Sequence, residues 1–311
     1  MNDIAIQTEN LTRDFETVRA VDNLNIKVPS GDVFGFLGPN GAGKTTTIRL
    51  LLGLLKPTNG NANVLGFDTQ TQADEVRNLT GALLEHTGIY EKLTAQENLE
   101  FYGRIWHLSH NKRNNRIKEL LTNLSLWERR NEKAGTWSHG MKKKLAVARS
   151  LLHRPTLVFM DEPTAGLDPI ASAALREDLA TLADSEGVTI FLTTHNLTEA
   201  EKLCDQVAVI NEGKLLTVGS PDELRTKVDK PQIEIIGRGF NEKIINLLRA
   251  REEVSNIKIR NNHLLIELVK DVDTSPIVKL LVSEKVEIEE VHKGKATLED
   301  VFLTLIKEEE K

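Results

Sequence analysis

Cysteine is nearly absent: Cys204 is the only one in 311 residues. No intrachain disulfide can form and a cysteine-rich zinc site is excluded, so a reducing compartment is the natural setting and Cys204 reads as a small buried residue. Long apolar runs are also missing. The richest, Leu50 to Leu55, is six residues long and contains Gly53, against roughly 18 for a membrane span. The opening stretch MNDIAIQTEN has neither a basic flank nor an apolar core. No signal peptide is expected, and the chain reads as soluble and cytoplasmic, reaching a membrane only through a partner. A basic excess is lacking too, with Lys+Arg 40 against Asp+Glu 46 and a net charge of -6. The acidic excess is no tail, because residues 231–311 carry 13 basic and 16 acidic side chains and the remainder 27 and 30. This balance argues against nucleic acid as a partner. What is present is a globular composition, 40% apolar and 28% charged, in a length that allows two domains.

The first 30 residues alternate apolar and polar positions, which predicts strands with turns between them. Residues 32–37 read as a buried strand, and Lys44 to Leu55 as a helix stopping before Pro57. Residues 94 to about 132 look helical, opened by a Thr94/Glu97 capping box. One face carries Phe101, Ile105 and Leu108, another Ile117, Leu120, Leu121 and Leu124. Residues 156–160 form a continuous apolar strand, 170–184 a helix, and 188–192 another buried strand. A hairpin is expected over 206–218 around Asn211-Glu212-Gly213, and Ser220-Pro221-Asp222-Glu223 opens a further helix. The pattern restarts after Val228-Asp229-Lys230-Pro231. Strands at 232–236, 254–260, 263–269 and 286–292 and helices at 241–250, 274–283 and 297–309 give a split βαβ order plus a helix. Domains are therefore expected at 1–228 and 229–311.

Gly38-Pro39-Asn40-Gly41-Ala42-Gly43-Lys44-Thr45 matches the pattern G-x-x-x-x-G-K-[ST]. Glycines let the backbone wrap a phosphate with its N–H groups turned inward. The helix beginning at Lys44 adds its positive end. Lys44 is placed to reach the β- and γ-phosphates, Thr45 to ligate Mg²⁺, and Thr46 to donate to the α-phosphate. A Gly-rich turn before a helix is the plain alternative, but a buried strand before the motif and a helix after it supply the required context. At the end of the 156–160 strand stand Asp161 and Glu162. Buried parallel strands deliver such residues to the ligand crevice. Asp161 can hold Mg²⁺ through water, and Glu162 can orient or deprotonate an attacking water.

Further stretches then fall into order: Trp137-Ser138-His139-Gly140-Met141, Asp161-Glu162-Pro163-Thr164, Gly166-Leu167-Asp168 and Thr193-Thr194-His195. Over residues 4 to about 225 this closely resembles the ATP-binding subunit of ABC transporters. The resemblance implies an α/β fold: a P-loop ATPase domain with a RecA-like core, an antiparallel β subdomain and a helical subdomain at about 86–150, followed by the small α/β domain. It implies ATP and Mg²⁺ as ligands and a head-to-tail pair with a second copy of the chain. Phe15 takes the place of an aromatic stacking on adenine; a half-buried strand aromatic is its plain alternative. Ser138 and Gly140 match the signature that closes on ATP held by the other copy, Asp168 the loop crossing that interface, and His195 the histidine at the γ-phosphate. Catalysis would rest on Glu162, His195 and Lys44, and the metal on Thr45, Asp161 and Glu85.

Two positions depart from the family pattern. His139 replaces the first signature glycine, and Glu85, within residues 81–88, replaces a glutamine, leaving an acceptor only. Residues 295–302 resemble the ending of drug- and ion-export ATP-binding subunits whose permease is a separate chain, and they also read as a capped helix with Thr297 at the N-cap and Asp300 at N3. The expected function is ATP hydrolysis energising export of a drug, ion or lipid-like substrate through that permease, at the inner face of the cell membrane. Segment 85–130 would dock it, with Tyr90, Phe101, Tyr102, Trp106 and Trp127 lining a groove or serving the core. The alternative is a soluble ABC-type ATPase of translation or DNA maintenance, disfavoured by a single cradle, one cysteine and no basic stripe. A P-loop kinase or GTPase is disfavoured because the guanine-specifying Asn-Lys-x-Asp is absent from the sequence and the Ser138 signature would be unexplained.

Overall fold

The computed structural model describes residues 4–228, 231–270, 272–294 and 297–309. The expected boundary residues Asp229 and Lys230, and Lys295 and Ala296 of the C-terminal stretch, lie outside them. The chain divides into two compact units, Met1–Pro221 and Asp222–Lys311. No described helix is long and apolar enough to cross a membrane.

The first unit opens with β1 (Ile4–Phe15), β2 (Val18–Leu24), β3 (Lys27–Pro29), β4 (Val33–Leu37) and α1 (Lys44–Leu51). Next come β5 (Asn59–Val64), β6 (Phe67–Asp68), α2 (Ala73–Leu79), β7 (Thr80–Leu83), and helices α3 (Ala95–Ile105), α4 (His110–Asn123) and α5 (His139–Leu151). β8 (Leu157–Asp161), α6 (Pro169–Glu186), β9 (Thr189–Thr194), α7 (Leu197–Leu203), β10 (Gln206–Asn211) and β11 (Lys214–Gly219) complete it. The main sheet runs β11-β10-β4-β9-β8-β7. Its four pairings from β10 to β7 are parallel and only the β10–β11 edge is antiparallel. β4, β8 and β9 are buried at every residue, the pattern of strands covered on both faces. A second, antiparallel sheet runs β2-β1-β5-β6, with β3 also on β1. Its Ile6, Leu11, Val28 and Val64 share one core with Ile48, Phe34, Phe36, Phe159 and Phe191. The Phe34 and Phe191 rings stack 5.6 Å apart. Cys204 is buried beneath β4: a Cβ on Gly35 would lie 2.7 Å from its Sγ.

Two expected helices are shorter than read. α1 stops at Leu51, not Leu55. Gly53 takes φ +65°, and Leu54 and Leu55 both donate back to the Arg49 carbonyl, so a left-handed glycine closes the helix before Pro57 can. The single helical stretch over 94–132 is instead α3, α4 and a 3-10 turn at Trp127–Arg129. His107 sits at φ +52° between the first two, a backbone state no helix interior holds. The Thr94/Glu97 capping box is present in full. Ile117, Leu120, Leu121 and Leu124 are buried, whereas Phe101 and Ile105 face solvent.

The division falls at the first residue of α8 (Pro221–Val228), and the second unit continues with β12 (Gln232–Arg238), α9 (Glu242–Arg249), β13 (Val254–Arg260), β14 (His263–Leu268), α10 (Ser275–Ser283), β15 (Glu287–Gly294) and α11 (Leu298–Glu309). The sheet order β13-β14-β12-β15 is antiparallel at every pairing, the split βαβ arrangement. Ile233, Ile235, Ile266 and Ile257 pack with Ile244, Leu248, Ile277 and Leu281 of α9 and α10 in a core of their own. α11 begins with a reciprocal cap: Asp300 N donates to Thr297 Oγ1, and Thr297 N donates to Asp300 Oδ2.

Candidate nucleotide site

Parallel strands β4, β8 and β9 end side by side, and the residues just beyond them meet. After β4 the loop from Gly38 to Gly43 turns into α1. Gly43 has φ +102°, and a Cβ there would fall 2.2 Å from the Ala20 carbonyl oxygen. Only glycine satisfies both the dihedral and the approach. Gly43 caps α1 without a side-chain bond, and no acid lies in the first turn, leaving N–H groups for an anion. A hollow of about 180 Å³ lies here, lined by Asn40, Gly41 and Gly43 to Thr46 and by Ala20 and Glu162.

Lys44 is 6% exposed. Its ammonium donates to the carbonyls of Gly38 and Pro39 at 2.8 and 3.0 Å and stands 3.4 Å from Glu162 Oε1. Asp161, also buried, accepts from Thr45 Oγ1 at 2.7 Å and from Thr193 Oγ1 at 2.6 Å. Glu162 follows at φ +48°, a strained state for a side-chain-bearing residue, held by its N–H donating to the carbonyl and hydroxyl of Thr193. Its Oε1 lies 3.1 Å from His195 Nδ1. A second cavity of about 410 Å³ adjoins, lined by Thr45, Glu85, Thr87, His139, Lys143, Asp161, Glu162 and Ala165. Thr45, Asp161 and Glu85 thus line one cavity with oxygen donors, a set that suits Mg²⁺. Among the described residues no group of three or more His, Cys, Asp or Glu side chains is placed to hold a metal alone.

The remaining expected residues stand apart from these cavities. Ser138 is the N-cap of α5, its hydroxyl accepting from Met141 N. Asp168 is the N-cap of α6, accepting from Ile170 N and Ala171 N at 3.0 Å. A Cβ on Gly140 would lie 3.3 Å from Ala171 Cβ, so the starts of the two helices pack together. Phe15, 40% exposed, ends β1 with the Arg13 guanidinium 4.5 Å above its ring.

Sequence reasoning missed Thr193 and Lys143. Thr193 holds both acids, but a strand-end threonine carries no distinctive signal. Lys143 was legible: it shares a helical stripe with Ala146, Val147 and Ser150, all buried, and a lysine on such a stripe needs a partner.

A separate groove of about 390 Å³ is lined by Leu52, Leu54, Tyr102, Trp106, Arg149 and His153, among others. Trp106 stacks on His153 with centroids 3.8 Å apart. Burial lowers the pKa of His153, and a bond to the Thr80 carbonyl only partly opposes this. Tyr90 and Phe101 meet edge to face beside Tyr102. Trp127 does not line the groove; Arg130 lies over its ring at 4.1 Å.

Comparison with known proteins identifies the family. The ABC transporter family matches residues 21–165, and the family described as ATP-binding protein DrrA1-3-like, C-terminal domain, matches residues 219–306. The chain is 36% identical to the bacitracin transport ATP-binding protein BcrA of Bacillus licheniformis, over 97% of both chains. It is 33% identical to the daunorubicin/doxorubicin resistance ATP-binding protein DrrA of Streptomyces peucetius, over 97% of this chain and 92% of that one. Among solved structures, an ATP-binding subunit of an ABC transporter aligns with TM-score 0.64 at 29% identity, over 72% of this chain and 92% of the other. CbiO1 of Clostridium perfringens aligns with TM-score 0.68 at 24% identity, over 73% and 92%, a likeness of fold. The chain belongs to the ATP-binding subunits of ABC transporters, in the branch of the drug-resistance exporters, and is an ATPase.

Proposed function

We propose that two copies of this chain pair head to tail around two ATP molecules and drive export of an antibiotic or similar toxic compound through a separate membrane permease. The observation that carries this reading is the meeting of Lys44, Glu162 and His195 at one carboxylate oxygen, beside the Thr45–Asp161 bond.

In each half-site the backbone from Gly38 to Thr46 holds the phosphates, and Phe15 offers a face to the adenine. Lys44 exchanges its internal carbonyls for phosphate oxygens. Thr45 and Asp161, with Glu85 lining the same cavity, would hold Mg²⁺, which when bound would supply neutralisation of charge on the transferred phosphoryl group. Glu162 takes a proton from water as the water oxygen attacks the γ-phosphorus and the bond to the bridging oxygen breaks. His195 orients that carboxylate and the γ-phosphate. Ser138 and Gly140 of the partner copy cover the far side with a helix tip, and Asp168 stiffens the loop beside it. Contacts available only in the closed pair are lost on hydrolysis, so ATP favours one of two states.

The groove containing Tyr102, Trp106 and Leu54 is the surface for the permease: it is largely apolar, and Phe101 and Ile105, next to Tyr102 and Trp106 in the chain, are exposed. Bound there, the protein lies on the inner face of the cell membrane. Bacitracin, daunorubicin and linearmycin appear in the names of relatives, which supports an antibiotic-class cargo. The test is Glu162→Gln. It keeps ATP binding, abolishes turnover and elutes as a dimer only with ATP; a monomer at saturating ATP refutes the sandwich.

A further inference from the structure

Three consecutive lysines of α5 point to three different places. Lys142 pairs with Glu91 at 2.6 Å, and Lys144 with Asp178 of α6 at 2.7 Å. Lys143, between them, is 5% exposed and turns into the cavity beside Asp161 and Glu162. Its ammonium donates to the main-chain carbonyl of Glu162 at 3.3 Å. The same carbonyl accepts from Ala165 N at 3.2 Å, and Glu162 N is held by Thr193. The strained backbone of Glu162 is therefore gripped from strand β9, from its own loop and from α5. Lys143 is the grip that crosses from the helical segment to the end of β8. His139, one turn earlier on the same face, lines the same cavity.

We propose that Lys143 is a positioning residue for hydrolysis, tying the helix that carries Ser138 to the backbone of Glu162 within one chain. The inference rests on the reading of Glu162 as the general base. Lys143 lies five positions beyond Ser138, about 7.5 Å along a helix, so the tip offered to the partner copy and the tether to the base belong to one rigid rod. Seating the tip then fixes where the Glu162 carboxylate stands. Three carboxylates face this cavity, Glu85, Asp161 and Glu162. Lys44 leaves Glu162 when it engages phosphate, whereas Lys143 remains to balance them. Burial lowers the pKa of Lys143, and the charges of Asp161 and Glu162 oppose that shift only in part.

The experiment compares Lys143→Met, Lys143→Arg and Glu162→Gln in the full chain, following steady-state ATPase, thermal melting and ATP-dependent dimerisation. Lys143→Met keeps the aliphatic stem and removes the donor. Its kcat is expected to fall about tenfold with KM for ATP within about twofold, the scale of a base displaced by a fraction of an ångström. Lys143→Arg restores most of kcat because the donor returns. A kcat for Lys143→Met within about twofold of the parent overturns the proposal. So does an unchanged kcat with a raised KM, or an arginine variant no faster than the methionine one. If Lys143→Met does not fold, Lys143→Gln is read by the same criteria; failure of both to fold assigns Lys143 to the core and also overturns it. Residual turnover in Glu162→Gln refutes the base itself, an outcome independent of the lysine series.

Discussion

Glu162 Oε1 and His195 Nδ1 are 3.1 Å apart, joining the ends of neighbouring parallel strands β8 and β9. Neither side chain is deeply buried, with exposures of 26% and 53%. Glu162 is held by its main-chain N–H, which donates to the carbonyl and hydroxyl of Thr193. His195→Ala should lower kcat by about a hundredfold or more while leaving ATP binding intact. Steady-state hydrolysis alongside equilibrium binding of a fluorescent ATP analogue checks this, and a kcat near the parent value refutes the assignment.

Gly43→Ala is predicted to abolish ATP binding. The added Cβ would have to occupy space 2.2 Å from the Ala20 carbonyl at φ +102°, so the loop must open and the amide ring is lost. Calorimetric titration with ATP measures it; parental affinity would show that the loop deforms without cost.

The groove carries a pH dependence. His153 has its pKa lowered by burial, whereas in the unfolded chain it titrates near its ordinary value of about 6.5. Below that pH the unfolded state binds the proton first, so this residue's contribution to stability is complete above about pH 6.5 and is lost as pH falls toward the lowered native value. The melting temperature of the parent should therefore fall more steeply than that of His153→Gln between pH 7 and pH 5. Parallel slopes would remove the histidine from this role.

The two hydrophobic cores share no residue. Deleting residues 231–311 should leave the nucleotide fold and its ATP affinity unchanged, as measured by circular dichroism and titration. A folded truncation unable to bind ATP would show that the boundary near residue 228 is misplaced.

Much of the site was legible because phosphate chemistry constrains sequence locally: the cradle, its lysine and the strand-end acids are contiguous stretches. Caps were legible for the same reason, Thr94 with Glu97 and Thr297 with Asp300. Distant pairing was harder to see. β5, Asn-Gly-Asn-Ala-Asn-Val, has poor strand propensity and forms because β1 pairs with it. The Leu51 end of α1 depended on Gly53 adopting a left-handed backbone, which the apolar run through Leu55 disguised. Phe101 and Ile105 fit a helical face as well as any core residues do, and periodicity cannot say whether such a face meets protein or solvent. Thr193 entered the site only once β8 and β9 were adjacent.

Cys204 is wedged beneath Gly35 with its thiol pKa pushed up by burial, the setting of an unreactive thiol. Any cysteine added by design therefore reports alone. With one at exposed Asn40 and another at exposed Ser138, cross-linking between copies becomes a ruler for how closely loop and helix tip approach through a catalytic cycle.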